Sequence, residues 1–122
     1  MKLLDSNIII YSYQPNFSYL KPLVLDPENA ISAISQLEIL GFHSISISEE
    51  TYCEYVFKIL QTFPIDNTVL SKAIELRKTY KMKLGDSIIA ATAFLANIEI
   101  YTRNINDFIK IPDLIVVNPI IE

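Results

Sequence analysis

The stretch from Lys83 to Asn97, KLGDSIIAATAFLAN, constrains the fold more than any other part of the chain. Between Ile88 and Ala96 its only polar residue is Thr92, and polar or breaking residues stand on both sides of the run. Gly85 is expected to break the preceding element, Asp86 to cap a new helix by accepting backbone N–H bonds, and Asn97 to stop it. Ile88, Ile89, Ala91, Phe94 and Leu95 spread round most of the circumference, so the helix is expected to be buried on several sides, with small alanines allowing close neighbours. A carboxylate at the mouth of such a helix is fixed in place, which makes Asp86 a candidate for a catalytic centre.

At 122 residues, 51% of them apolar, the chain suits one domain over 1–122 with a real core. A net charge of −4 and a pI near 4.9 argue against broad electrostatic adhesion to nucleic acid or an anionic membrane. An enzyme can still hold a polyanion through metal ions and a local basic patch. Lys72, Arg77, Lys78, Lys81 and Lys83 fall close together and read as a solvated helix face or, alternatively, a ligand-facing patch. No apolar run approaches the roughly 20 residues of a membrane span, so a cytoplasmic protein is expected. One cysteine, Cys53, allows no internal disulfide, and one histidine, His43, cannot build a His/Cys zinc site. Cys53 reads as a partly buried helix residue and His43 as a turn residue.

Taken in order, KLLDSNIIIY at Lys2 to Tyr11 looks like a central parallel strand whose carboxyl end carries polar groups. Asp5 is then either a working residue at a strand end or simply the cap of the helix begun by Ile8 to Tyr11. Pro15, Pro22 and Pro27 punctuate a loop with a short helix at Ser18 to Val24. Ala30 to Ser35 alternates as a strand, and Ser35-Gln36-Leu37-Glu38 has the capping-box pattern of a helix start, which gives Glu38 a structural alternative to chemistry. Ser44 to Ser48 is a short alternating run leading into an amphipathic helix, Glu49 to Phe63, on which Tyr52, Tyr55, Val56, Ile59 and Leu60 share a face. A further strand at 61–64 overlaps its end. Val69, Ala73, Leu76 and Tyr80 mark one face of a helix from Asn67 to Tyr80. Ile98 to Thr102 and Leu114 to Asn118 are the last strands, with a polar turn and short helical piece from Arg103 to Phe108 between them. Strands and helices alternate, which predicts an α/β domain with a mainly parallel sheet.

Four acids fall at junctions: Asp5 at a strand end, Glu38 in a first helical turn, Asp86 at the mouth of the central helix and Asp107 after a strand. In a doubly wound sheet, strand ends and the starts of following helices share one edge, so the four are able to converge. Gathered carboxylates raise each other's pKa values and call for a cation, and oxygen-only ligands select Mg²⁺ or Mn²⁺ over zinc. Such a site does phosphoryl-ester chemistry. A receiver-like phosphoacceptor fits less well, because Asp5 has no adjacent acidic partner.

LLDSNIIIY, the ISQLEILG segment, GDSIIAATA and YTRNINDF, in this order and together with the closing LIVVNP, resemble the PIN domain of VapC-type toxins from bacterial and archaeal toxin–antitoxin systems. The resemblance implies a PIN-like three-layer sandwich, a central mainly parallel sheet flanked by helices. It matches Asp5, Glu38, Asp86 and Asp107 to that family's acidic metal-binding quartet, and puts Ser6, Thr102 and Asn104 where members often carry supporting polar groups. One departure is visible: many members have proline directly before the third acid, where this chain has Gly85. The activity implied is a Mg²⁺- or Mn²⁺-dependent endoribonuclease leaving 5′-phosphate and 3′-hydroxyl ends, often homodimeric and neutralised by an antitoxin. Two other readings remain: a PIN-type nuclease of RNA maturation or decay without an antitoxin, and a non-cleaving RNA- or protein-binding module. Arg103 reads equally as a phosphate contact or as the partner of a neighbouring acid, and Tyr11 and Tyr13 as packing residues. The acidic edge would attract a basic inhibitory segment, and a mean hydropathy of +0.31 suggests surface covered by a partner.

Overall fold

The computed structural model describes residues 1 to 121. Five short strands form one sheet: β1 (Lys2–Leu4), β2 (Ala30–Ser32), β3 (Gln61–Phe63), β4 (Glu99–Tyr101) and β5 (Val116–Val117). Their order is β3-β2-β1-β4-β5 and every pairing is parallel. Six helices flank the sheet: α1 (Ser6–Tyr13), α2 (Lys21–Val24), α3 (Ala33–Leu40), α4 (Ile47–Ile59), α5 (Asn67–Tyr80) and α6 (Leu84–Ala96). The expected three-layer α/β sandwich is therefore the fold.

Strand alternation explains the layers, because successive side chains point to opposite faces of a sheet. Leu3, Ala30 and Ile100 pack with α5 and α6 in one core, while Leu4 and Ile31 pack with α1, α2 and α4 in the other. Helix α3 reaches both, through Ile34 on one side and Ile39 on the other. Short, apolar central strands buried on both faces are what a parallel sheet covered by helices requires.

The chain leaves β1 toward β2 and β3, then returns to the opposite side of β1 to lay down β4 and β5. The direction of winding reverses between β1 and β4, and a crevice opens at the carboxyl ends of strands at such a reversal. Asp5 follows β1 and Thr102 follows β4, so both stand at that crevice. The Asp5 amide donates to the Tyr101 carbonyl at 2.9 Å, continuing the β1–β4 ladder right up to the site.

Several expected boundaries shift. Helix α6 begins at Leu84, not after Gly85, and Asp86 lies within its first turn without capping it; Lys83 occupies the capping position with no side-chain bond. The run from Ser87 to Ala93 is buried as expected, but Phe94 and Leu95 are 38% and 44% exposed. Asn97 ends the helix in a left-handed conformation, φ 56° and ψ 51°, a geometry asparagine tolerates better than most residues. The Ser35–Glu38 capping box does not form. Ser32 at the end of β2 caps α3 instead, its Oγ accepting from the Ile34 amide at 3.2 Å, so Glu38 sits in the body of the helix. The run at Ser44 to Ser48 enters α4 before the expected start at Glu49: Ser46 caps the helix by accepting from the Glu49 amide at 3.1 Å. On α4 the buried positions are Cys53 and Val56, whereas Tyr55 faces solvent.

Candidate active site

Asp5 is the most enclosed of the four acids, 6% exposed at the end of β1. The capping reading of Asp5 is the one the structure shows. One carboxylate oxygen, Oδ1, accepts from the Ser6 amide at 2.8 Å and caps α1; the other, Oδ2, accepts from the Thr102 hydroxyl at 2.8 Å and the Asn7 side-chain amide at 3.3 Å. Thr102 is fully buried and its Oγ1 also accepts the Asn104 amide at 3.0 Å, so the turn after β4 is tied to the same point. Asn7 extends the network by accepting from the Arg103 amide at 3.3 Å. The site is thus built on two adjacent strand ends that hold each other's first turns.

Glu38 reaches in from α3. The Ser6 hydroxyl lies 2.8 Å from its Oε1 and 2.9 Å from Ser35 Oγ. Asp86 reaches in from the first turn of α6, and Asp107 from the 3₁₀ turn Ile105–Asp107, whose amide is held by the Asn104 carbonyl at 3.0 Å. The charges of Glu38 and Asp107 bear on both Asp5 and Asp86. Burial raises the pKa of Asp5, against the opposing hydrogen bonds from Thr102 and Ser6, and the charges of Glu38 and Asp107 raise it further. Asp86 is pushed up to about 6, first by burial, then by the charges of Asp5 and Asp107; Lys83 opposes the shift and Glu38 adds to it. Helical amides at the start of α6 offer Asp86 a favourable field, but it does not overcome these effects.

Beside Asp107 a cleft of about 470 Å³ is lined by Lys83, Arg103, Asn104, Ile105, Asn106 and Asp107. Of the basic cluster on α5 and beyond, Lys83 therefore faces the site. Lys72 instead lies 3.9 Å over the Phe94 ring and pairs with Glu75 at 3.2 Å, and Arg77 Nε donates to the Met82 carbonyl at 3.2 Å. Arg103 stacks on the Tyr11 ring at 4.9 Å and donates to its hydroxyl. Tyr11 in turn meets Phe17 edge-on at 4.9 Å, and Tyr13 lies 5.4 Å from Tyr52 with its hydroxyl 2.6 Å from Ser48 Oγ, so both tyrosines serve packing. Cys53 is buried, its thiol pushed up to about 11 by burial and then by Glu49, which removes it from nucleophilic chemistry.

The structure thus brings Asp5, Glu38, Asp86, Asp107, Ser6 and Thr102 to one sheet edge, with Asn104 contributing its amide to Thr102 and its side chain to the cleft wall. Sequence reasoning missed Asn7, which tethers Asp5 to the Arg103 backbone, and Ser35, which shares the Ser6 hydroxyl with Glu38. Asn7 had a signal in the LDSN motif itself; Ser35 had none apart from its mistaken capping role. All the donors are oxygens, the set that suits a hard divalent cation rather than zinc. Among the described residues, no group of three or more His, Cys, Asp or Glu side chains is gathered closely enough to hold one ion as it stands. The donor chemistry fits Mg²⁺ or Mn²⁺.

A family model for the PIN domain matches residues 2–114. The chain belongs to the PIN domain family. By sequence, no curated protein is significantly similar to it. Among solved structures, this PIN domain is similar to a chain of a toxin–antitoxin complex from Klebsiella pneumoniae, at 32% identity and a TM-score of 0.80 over 98% of each chain. A chain of FitAcB from Neisseria gonorrhoeae is 25% identical with a TM-score of 0.75, again over 98% of each. A chain of VapBC2 from Rickettsia felis, solved on a promoter DNA fragment, shares the fold at 23% identity and a TM-score of 0.77, over 96% of this chain and 97% of that one. The PIN domain described here also has no helix, among the described residues, long and apolar enough to cross a membrane.

Proposed function

We propose that the chain is a divalent-metal-dependent endoribonuclease and the toxin of a VapC-type toxin–antitoxin pair. The observation that carries this reading is the approach of Asp5, Glu38, Asp86 and Asp107 to one edge at the winding reversal of the sheet, where burial first, and then the charges of Asp5 and Asp107, push Asp86 up to about 6. These four acids would hold one or two Mg²⁺ or Mn²⁺ ions. A bound ion supplies charge neutralisation at the phosphate and a water of lowered pKa. Asp5, locked by Ser6, Asn7 and Thr102, provides the fixed point of the set. Asp86, raised by burial and its acidic neighbours, would gain most from the charge of a bound cation, which favours its ionised form. Lys83, Arg103 and the side chains of Asn104 and Asn106 line the adjoining cleft, where two cations offset the charge of an RNA backbone that the overall −4 would repel.

The likeness to a chain from a toxin–antitoxin complex supports an antitoxin partner. A basic segment of that partner reaching the acidic edge is the form of inhibition that fits these charges. Leu37, Phe42, Ile47 and Tyr55, all more than half exposed on α3, α4 and the turn between them, support a covered surface there, by antitoxin or by a second copy in a homodimer. The alternative readings are an RNA-maturation nuclease without an antitoxin and a non-cleaving RNA-binding module.

Cleavage of total RNA by the purified protein in Mg²⁺, Mn²⁺ or EDTA, beside Asp5→Asn, separates these readings. Metal-dependent cuts are expected, and Asp5→Asn should lose more than about 100-fold, beyond the 10–100-fold typical of an outer partner of a metal ligand. Full activity in Asp5→Asn refutes the assignment. A folded protein that binds RNA but cuts none under any metal turns the conclusion to the binding module. Co-purification of a small DNA-binding protein encoded beside the gene distinguishes a toxin from an RNA-maturation nuclease.

A further inference from the structure

Gly85 is one of only two glycines in the chain, and its backbone does not call for one. It lies inside α6 in ordinary helical conformation, and neither glycine has a positive φ. Glycine is among the least favourable residues for a helix, so local conformation argues against its presence. What calls for it is room. A Cβ on residue 85 would lie 2.6 Å from Oε2 of Glu38, 3.2 Å from its Cδ and 3.5 Å from Oε1. The first of these is closer than any sustained contact, so the carboxylate would have to move. On its other side Oε1 is held by the Ser6 hydroxyl at 2.8 Å, which itself sits 2.9 Å from Ser35 Oγ. The Glu38 carboxylate is therefore lodged between a hydroxyl on α1 and bare backbone on α6.

We propose that Gly85 is a positioning residue for Glu38: its missing side chain lets the Glu38 carboxylate lie against the turn of α6 that carries Asp86, and so sets where the acid from α3 joins the other three. The inference rests on the reading of these acids as a metal centre. Because the displaced group is the end of a flexible side chain, adding the methyl is cheap for the fold and costly for the site. Stability and metal affinity should therefore move apart, which a merely structural glycine would not produce.

The test compares wild type, Gly85→Ala, Glu38→Ala and the double variant by two readouts, the Tm of the metal-free protein and Mn²⁺ affinity by calorimetric titration. Gly85→Ala should leave the metal-free Tm unchanged or raise it by up to about 4 °C, as a helix-compatible Gly→Ala change does. It should weaken Mn²⁺ binding about tenfold, the lower range for losing support of a metal ligand. In the Glu38→Ala background the same change should have no further effect on Mn²⁺ affinity and should raise Tm by more than it does in wild type. The proposal is overturned by wild-type Mn²⁺ affinity in Gly85→Ala, by the same loss in the absence of the Glu38 carboxylate, or by a fall in Tm large enough to signal a packing role. If the wild-type protein binds no Mn²⁺, the metal-centre reading falls; coupling in Tm that persists then keeps the steric contact and discards its role, and absent coupling discards the contact as well.

Discussion

Replacing Asp86 by asparagine should stabilise the metal-free protein at neutral pH while destroying its chemistry. Burial and the neighbouring acids lift this carboxyl from 3.8 to about 6 in the native state, whereas the unfolded chain leaves it near 3.8. The native state thus holds a proton that the unfolded state releases between those values. Stability from this residue is fully present below pH 3.8 and is lost as pH rises through about 6. At about 1.36 kcal/mol per pH unit the full difference is about 3 kcal/mol. Asp86 is only half-buried, so solvent screening reduces this to about 1–2 kcal/mol. Asparagine keeps the shape and cannot ionise. At pH 7 in EDTA, Asp86→Asn should therefore melt about 3–8 °C above wild type, and the gap should close toward pH 4. Asp5 is raised as well, and because its charge acts on Asp86 the difference between the two proteins reports the interacting pair. With saturating Mn²⁺ at pH 7 the order should narrow or reverse, because a ligand bound only to the native state stabilises the protein with the stronger site. Differential scanning fluorimetry from pH 4 to 8, with and without Mn²⁺, reads all of this. A variant less stable than wild type at pH 7 in EDTA, or a gap that does not change with pH, would refute the electrostatic account of the site.

Thr102→Val should remove the buried hydroxyl that serves Asp5 Oδ2 and the Asn104 amide, leaving polar groups unsatisfied at a cost of about 1–3 kcal/mol in denaturant unfolding. Mn²⁺ affinity should fall about 10- to 100-fold in the same variant, and an unchanged affinity would show that Asp5 needs no such support. Asn97→Gly should stabilise the protein slightly and Asn97→Ala should destabilise it by about 1 kcal/mol, because a Cβ disfavours the left-handed cap at φ 56°. Equal melting of the two variants would argue against that backbone conformation.

The sheet was legible because four of its strands are short apolar runs near turn residues; β2 ends three residues before its expected limit at Ser35, and β3, Gln61-Thr62-Phe63, is largely polar. Helix starts were less legible, since several serines and acids compete for each cap. Ser32 wins over Ser35 because it stands where β2 ends, and Ser46 wins over Ser48 because Glu49 lies three residues on. Asp86 looked like a cap from its place before an apolar run, yet α6 starts at Leu84 and uses no side-chain cap. The acids of the candidate site were recognisable from their junction positions. The contact of Ser35 with the Ser6 hydroxyl was not, because nothing local marks a side chain whose partner lies 29 residues away.

The amino-acid sequence by itself determined the alternation of strands and helices, the burial of α6 and the places of Asp5, Asp86 and Asp107 at junctions, since periodicity, turn chemistry and capping are local properties. Tertiary structure decided the rest. Only the order β3-β2-β1-β4-β5 puts the end of β1 beside the end of β4, so that Thr102 meets Asp5 across 97 residues of sequence. Only packing buries Asp5 and brings its charge to bear on Asp86, and only the approach of α3 to α6 turns an unfavourable helical glycine into the space that Glu38 occupies. A pKa or a steric contact depends on which atoms arrive from elsewhere in the chain, and that information resides in the packed structure rather than in any local stretch of residues.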